Sequence, residues 1–238
     1  MAYKYTPCQI TDVVDETDLV KRYFFKVPEE FPFDFKPGQF IMLNLPIDSK
    51  FTNRSYSIAS PPYGNHTFEL AIVLNPNGLG TPYLWEKISK GSTVDVSKPL
   101  GKFNLHLPVE EDLCFIGTGT GIAPLRSMIQ YIFNHNLPHK NIYLIFGNRW
   151  EKDILYRKDF EELAAKHPTF HFIPVLSREN VGWTGKQGYV HTIYQEIFAD
   201  KRPATFYMCG WRDMLHDARH KLEEMGYNRK KIKFESYD

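Results

Sequence analysis

Near residue 110 the periodicity of this 238-residue chain changes, and no single repeating architecture accommodates both sides of the break. Before it, short runs rich in strand formers recur at 21–27, 40–45 and 68–74. Pro28, Pro32, Pro37-Gly38 and Pro61-Pro62 punctuate them. Short strands at this spacing predict an antiparallel β-barrel, interrupted by one helix over 81–90 that Gly91 ends. Beyond the break, strands at 113–116, 142–146, 170–175, 205–208 and 232–234 alternate with helices at 124–134, 155–166, 190–198 and 212–225. That alternation predicts a parallel, doubly wound α/β sheet. The expected domains are therefore 1–107 and 112–238, joined by the segment around Pro108. A chain of this length can bury a core in each.

Charge and cysteine content exclude several classes. With 29 Lys+Arg against 28 Asp+Glu the net charge is +1, so no electrostatic footprint for nucleic acid is present. Cys8, Cys114 and Cys209 are too few and too far apart for a disulfide framework, a zinc site or an iron–sulfur cluster. The start, Met1-Ala2-Tyr3-Lys4, lacks the apolar core of a signal peptide, and no apolar run reaches membrane-span length. The expectation is a cytoplasmic protein without a membrane span.

The chemistry begins at Phe115-Ile116-Gly117-Thr118-Gly119-Thr120-Gly121-Ile122-Ala123-Pro124. A strand runs into bare backbone, and Pro124 sits where a helix can open without its N–H. Strand, glycine loop and helix N-terminus in that order direct N–H groups and a positive helix end at an anion. A glycine-rich turn serving only strand–helix packing is the plainer alternative. Position favours a ligand, because Gly147-Asn148-Arg149, Ser177-Arg178 and Cys209-Gly210 also follow predicted strands and share the carboxyl edge where α/β sheets bind ligands. The loop is read as the pyrophosphate site of a nicotinamide dinucleotide. Arg149 stands where an NAD site often carries an acid, and Ser177, Arg178 and Lys186 follow. Guanidiniums and a hydroxyl suit a 2′-phosphate, so NADPH is expected over NADH. Pairing of Arg149 with Glu151 or Asp153 is the competing reading.

In the first half, Arg54-Ser55-Tyr56-Ser57 combines a cation, a ring and hydroxyls on one strand. Arg54 and Tyr56 share a face, with Ser55 and Ser57 opposite. Arg54 can neutralise a diphosphate while Tyr56 stacks on a planar ring, although an edge strand would read the same way. Asn77-Gly78-Leu79-Gly80-Thr81 leads into the predicted helix with Thr81 as its N-cap, offering a second anion site or merely a capped loop.

Together these stretches resemble the ferredoxin–NADP⁺ reductase family over nearly the whole chain. Arg54-Ser55-Tyr56-Ser57 is similar to its R-x-Y-S flavin motif, and Gly78-Leu79-Gly80-Thr81 to its FAD-diphosphate segment. Pro99-Leu100-Gly101-Lys102-Phe103 is similar to its G-P-x-G-x-F turn, with Lys98 in place of the first glycine. The 117–124 loop, Ser177-Arg178 and Cys209-Gly210 resemble its nucleotide-binding segments. Glu235-Ser236-Tyr237 resembles its closing E-x-Y, here followed by Asp238. The resemblance implies an FAD-binding barrel, an NADP-binding domain and hydride transfer where they meet. It implies that Ser57, Cys209 and Glu235 line the reacting atoms and that Tyr56 and Tyr237 cover the two flavin faces. It also implies a ferredoxin or flavodoxin as electron acceptor. A reductase acting on free flavin, and the reductase component of an oxygenase or other electron-transfer complex, are the alternatives. The basic stretch Arg229-Lys230-Lys231 with Lys233 is a candidate for docking an acidic acceptor, or a solvated helix end.

Overall fold

A computed structural model describes residues 4–47, 50–178 and 181–237, so Asp238 and the first three residues lie outside it. The chain divides into two compact units, residues 1–105 with 126–131, and residues 106–125 with 132–238.

The first unit contains β1 (Tyr5–Thr17), β2 (Val20–Lys26), β3 (Phe40–Ile47), β4 (Lys50–Ser57), β5 (Thr67–Val73), α1 (Gly80–Lys87) and β6 (Thr93–Ser97). All pairings are antiparallel, in the order β4-β3-β6-β1-β2-β5. A bridge from Ile58 to Leu70 joins the two ends, so the expected barrel forms. Alternation drives it. Ile41, Leu43, Leu45 and Ile47 of β3 point inward and are buried, and the residues between them are not. Phe25 and Phe68 stack across β2 and β5 with centroids 4.6 Å apart, each burial contributing about 1.5–3 kcal/mol. β5 departs from alternation because both its faces are covered: Phe68, Leu70 and Ile72 face the core, while Glu69 and Ala71 are buried on the other side.

Helix α1 starts and stops earlier than the sequence predicts. Its N-cap is Leu79, with no side-chain cap, and its C-cap is Ile88. Thr81 is not the cap; its hydroxyl accepts from the Asn75 N–H at 2.8 Å and donates to the Asn75 carbonyl at 3.1 Å, closing the preceding loop. Thr81 satisfies that turn and leaves the N-terminal N–H groups of the helix uncapped by a side chain.

The second unit runs through β7 (Asp112–Thr118), α2 (Ile122–Asn134), β8 (Ile142–Asn148), α3 (Arg157–Lys166), β9 (Phe170–Leu176), β10 (Lys186–Gln187), α4 (Val190–Ile197), β11 (Ala204–Gly210), α5 (Arg212–Glu224) and β12 (Ile232–Ser236), with the middle of α2 counted in the first unit. The strands are parallel in the order β10-β9-β8-β7-β11-β12, the doubly wound sheet the alternation predicts. β7 is buried along nearly its whole length, as a sheet covered on both faces requires. β10, two residues long, escapes any periodicity. α3 begins two residues later than predicted because Tyr156 has a left-handed φ of 54° and Leu155 and Tyr156 are buried before the helix opens. Among the described residues no helix is long and apolar enough to cross a membrane.

Candidate functional site

The sheet of the second unit reverses its winding at β7, which lies between β8 and β11. At such a switch point the loops leaving the strand ends diverge and open a crevice. The glycine loop occupies it: Gly119-Thr120-Gly121 forms a 3₁₀ turn that leads directly into α2. Pro124 lies in the first turn of α2, which holds no acidic residue, so nothing there opposes an incoming anion.

Backbone packing explains two of the glycines. A Cβ on Gly121 would fall inside the van der Waals envelope of the Cys209 carbonyl. Gly210 has φ +148°, and its Cβ would overlap the Thr118 hydroxyl. The exits of β7 and β11 therefore touch main chain to main chain, tied by the Trp211 N–H to Thr118 Oγ1 at 3.4 Å. Cys209 pairs in register with Glu235 of β12, and the Tyr237 N–H donates to the Gly210 carbonyl at 3.2 Å. The fold thus assembles Thr118, Gly121, Cys209, Gly210, Glu235 and Tyr237 at one edge.

Cys209 is fully buried, and burial holds its thiol well above the ordinary range, reinforced by Glu235 and partly opposed by a hydrogen bond with Tyr237. Burial likewise raises Cys114 well above, and Cys8 to about 12. Cys209 is a neutral thiol at physiological pH, suited to positioning and not to nucleophilic attack. Native protein should accordingly resist iodoacetamide at pH 8 and take up three equivalents only when unfolded, as read by intact mass. Rapid native labelling at Cys209 would contradict a buried neutral thiol.

The residues expected at the ribose side divide. Ser177 donates its N–H to the Asn148 carbonyl at 2.9 Å, and Arg178 donates to the Arg149 carbonyl at 3.2 Å. Arg149, Ser177 and Arg178 thus sit together, exposed, beyond the ends of β8 and β9. Glu151, one competing partner of Arg149, instead binds Arg157 at 2.6 Å. Among the described residues neither Arg149 nor Arg178 has an ion pair. Lys186 differs: it sits on β10 and its Nζ reaches Glu196 at 3.2 Å. The basic stretch near the end is also partly neutralised, with Arg229 bound to Glu223 at 3.0 Å and Lys231 to Glu111 at 2.6 Å.

In the first unit, Arg54 and Tyr56 are half-buried and Ser55 is exposed, whereas Ser57 is 4% exposed. Alternation fails at Ser57 because β4 ends there and the chain crosses toward β5. Arg54 packs over the start of α1: a Cβ on Gly80 would lie 3.0 Å from its Cγ. Its guanidinium donates to the carbonyl of Asn53 at 2.8 Å and, among the described residues, meets no carboxylate. A guanidinium beside a helix N-terminus whose first turn has no acidic residue is mutually repulsive until an anion joins them. A diphosphate fits this pair. Tyr56 packs against the barrel core, and burial raises its hydroxyl to about 12 against the pull of Arg54, so its ring stays neutral. Lys98 is exposed, and its carbonyl accepts from Ser97 Oγ at 2.7 Å.

Two charges with no assigned role in the sequence reading emerge here, Glu69 and Arg126, both 4% exposed. Each is a lone charge inside an apolar run, which was the signal available for them.

The comparisons with known proteins agree with this geometry. A model of the oxidoreductase FAD-binding domain matches residues 7–105, and one of the oxidoreductase NAD-binding domain matches residues 115–220. The chain is accordingly a flavoprotein oxidoreductase that uses FAD and NAD(P)H for flavin-based electron transfer. It is 32% identical over 227 residues to ferredoxin–NADP reductase B of Sorangium cellulosum, covering 92% of each chain. It is 30% identical to the glycine betaine monooxygenase reductase subunit of Pseudomonas aeruginosa, covering 94% of this chain but only 62% of that one. Its fold matches a crystal structure of a ferredoxin NADP⁺ reductase from Neisseria gonorrhoeae with bound FAD and NADP, with a TM-score of 0.83, 24% identity and 99% coverage of both chains. The chain belongs to the ferredoxin–NADP reductase-like family.

Proposed function

We infer that the protein is an NADPH-linked reductase that holds FAD in its barrel unit and passes electrons to a separate ferredoxin- or flavodoxin-type carrier in the cytoplasm. The observation carrying the choice of NADPH is the adjacent pair Arg149 and Arg178, exposed, free of ion pairs among the described residues, and accompanied by Ser177. A dianionic 2′-phosphate is the ligand such a group suits. Lys186 reaches that phosphate only by giving up Glu196.

When bound, flavin and nicotinamide supply the redox chemistry, and the protein supplies placement. Arg54 and the N–H groups at Gly80 and Thr81 hold the FAD diphosphate, Tyr56 lies along the ring, and Ser57 offers its hydroxyl at the ring edge. The 117–121 loop with the start of α2 at Pro124 holds the dinucleotide pyrophosphate. Cys209 and Gly210 would set the nicotinamide position, with Glu235 paired beside Cys209, and Tyr237 would cover one face of the flavin. Placement matters because hydride transfer needs the two rings in near contact.

The relative matched over 92% of its length, named a ferredoxin–NADP reductase, supports the carrier reading. The monooxygenase reductase subunit supports a second reading, an oxygenase partner, over 62% of its length. Anaerobic stopped-flow reduction tests the proposal: NADPH should bleach the flavin faster than NADH. Arg178→Ala should raise the KM for NADPH about tenfold, one charge-assisted contact, and leave that for NADH within twofold. Equal effects on both nucleotides would remove the NADPH preference. Reoxidation of the reduced protein by a ferredoxin, a flavodoxin or an oxygenase component then separates the acceptors.

A further inference from the structure

The barrel closes at the stretch that carries Arg54 to Ser57. β4 and β5 are the two edge strands of the sheet. Ser57 still pairs with Phe40 of β3, while Ile58 already bridges Leu70 of β5, and the Ala59 N–H donates to the Glu69 carbonyl at 2.8 Å. The two contacts thus fall on consecutive residues at this seam, and the Ile58 N–H itself donates to the Gln39 carbonyl at 2.9 Å.

Buried charge surrounds it. The Glu69 carboxylate accepts from Arg22 twice, Nε to Oε1 at 2.7 Å and Nη2 to Oε2 at 3.2 Å, and from Arg126 Nη1 at 3.3 Å. The same Arg126 nitrogen donates to the Ala59 carbonyl at 3.0 Å. Ser127 donates to the Ser60 carbonyl at 2.7 Å, and Ser60 Oγ accepts the Glu69 N–H at 3.1 Å. Glu16 balances Arg22 at 3.3 Å. All of these residues belong to the first compact unit. Burying such ions costs desolvation that their attraction at best offsets, so an apolar trio of equal volume would stabilise the fold as well. An apolar trio could not hold a backbone carbonyl, which Arg126 Nη1 does while it also binds the Glu69 carboxylate.

We propose that Arg22, Glu69 and Arg126 form a positioning clamp for the flavin: they fix the seam backbone at the Ala59 carbonyl, next to the Ser60 carbonyl that Ser127 holds, and, through it, the placement of Ser57 two residues earlier. The inference rests on the reading of residues 54–57 as a flavin site. Glu69→Gln keeps the shape and removes the charge that joins the two guanidiniums. Arg126→Lys keeps the charge but replaces the rigid planar guanidinium, whose Nη1 spans the Ala59 carbonyl and Glu69 Oε2, with a shorter, flexible ammonium. Apoprotein of each should be titrated with FAD, and the visible circular dichroism of the bound flavin recorded. Both variants should bind FAD about tenfold more weakly and show an altered flavin dichroism. The limiting rate of flavin reduction should fall about tenfold, with the KM for NADPH within twofold, the pattern of misplacement and not of lost nucleotide contacts. If Glu69→Gln fails to fold, Arg126→Lys decides on the same readings. A lowered melting temperature with unchanged FAD affinity and flavin dichroism overturns the clamp, because it reports stability alone. Wild-type apoprotein that takes up no FAD overturns both the clamp and the flavin site; wild-type uptake with unaltered variants overturns the clamp only.

Discussion

Arg54→Ala should yield a folded protein that purifies nearly colourless. Arg54 stands over Gly80 at an α1 terminus that has neither a side-chain cap nor an acid in its first turn. Its removal takes away a charge-assisted contact of about 1.5–3 kcal/mol, and with it the full charge that the helix end only supplements. FAD affinity should therefore fall by about 100-fold, measured by fluorescence titration of apoprotein, for a loss near 3 kcal/mol. Stability should change little, because Arg54 is half-buried and, among the described residues, its guanidinium has one hydrogen bond, to the carbonyl of the adjacent Asn53. Unchanged FAD affinity in the variant would mean that the diphosphate is held elsewhere. A collapse in melting temperature without FAD loss would make Arg54 a structural residue.

Gly121→Ala should do to the dinucleotide what Arg54→Ala does to the flavin. The added Cβ meets the Cys209 carbonyl, and β11 cannot retreat because it is hydrogen-bonded to β7 on one side and β12 on the other. The loop must move instead, carrying Thr118 to Thr120 and the start of α2 with it. Overpacking against main chain costs about 1–3 kcal/mol, and the displaced N–H groups no longer converge on the pyrophosphate. The KM for NADPH and that for NADH should rise together by at least about tenfold, since both nucleotides share that pyrophosphate, while FAD stays bound. A selective effect on NADPH would show that the loop reads the 2′-phosphate and would overturn its assignment.

The elements most legible in the sequence were those whose burial is one-sided or complete. The strand formers of β3 and the apolar run of β7 read as strands from composition, and the structure adds that β3 buries one face and β7 nearly its whole length. Element ends were read less well, since they depend on single backbone choices. Thr81 has the chemistry of a cap yet closes the loop at Asn75, and Tyr156 delays α3 by adopting a left-handed conformation. Partners of charged groups were least legible. Arg149 was open to Glu151 until the fold gave that carboxylate to Arg157, and Lys186 lost its freedom to Glu196. Ion pairs join residues by distance in space, and nothing in local periodicity encodes it.

By itself the sequence determined that the chain is a barrel followed by a doubly wound sheet with a glycine loop for a nucleotide, while FAD followed from its resemblance to the ferredoxin–NADP⁺ reductase family. Those conclusions need only hydrophobic period, strand-to-helix glycines and the order of short motifs, all of which are local or additive. Only the tertiary structure decided that Gly121 and Gly210 exist to let two strand exits touch, that Cys209 is a neutral buried thiol, and that Glu69 and Arg126 meet at the barrel seam. These depend on which distant segments share a boundary, and so on the closure of the barrel and the order of the parallel strands.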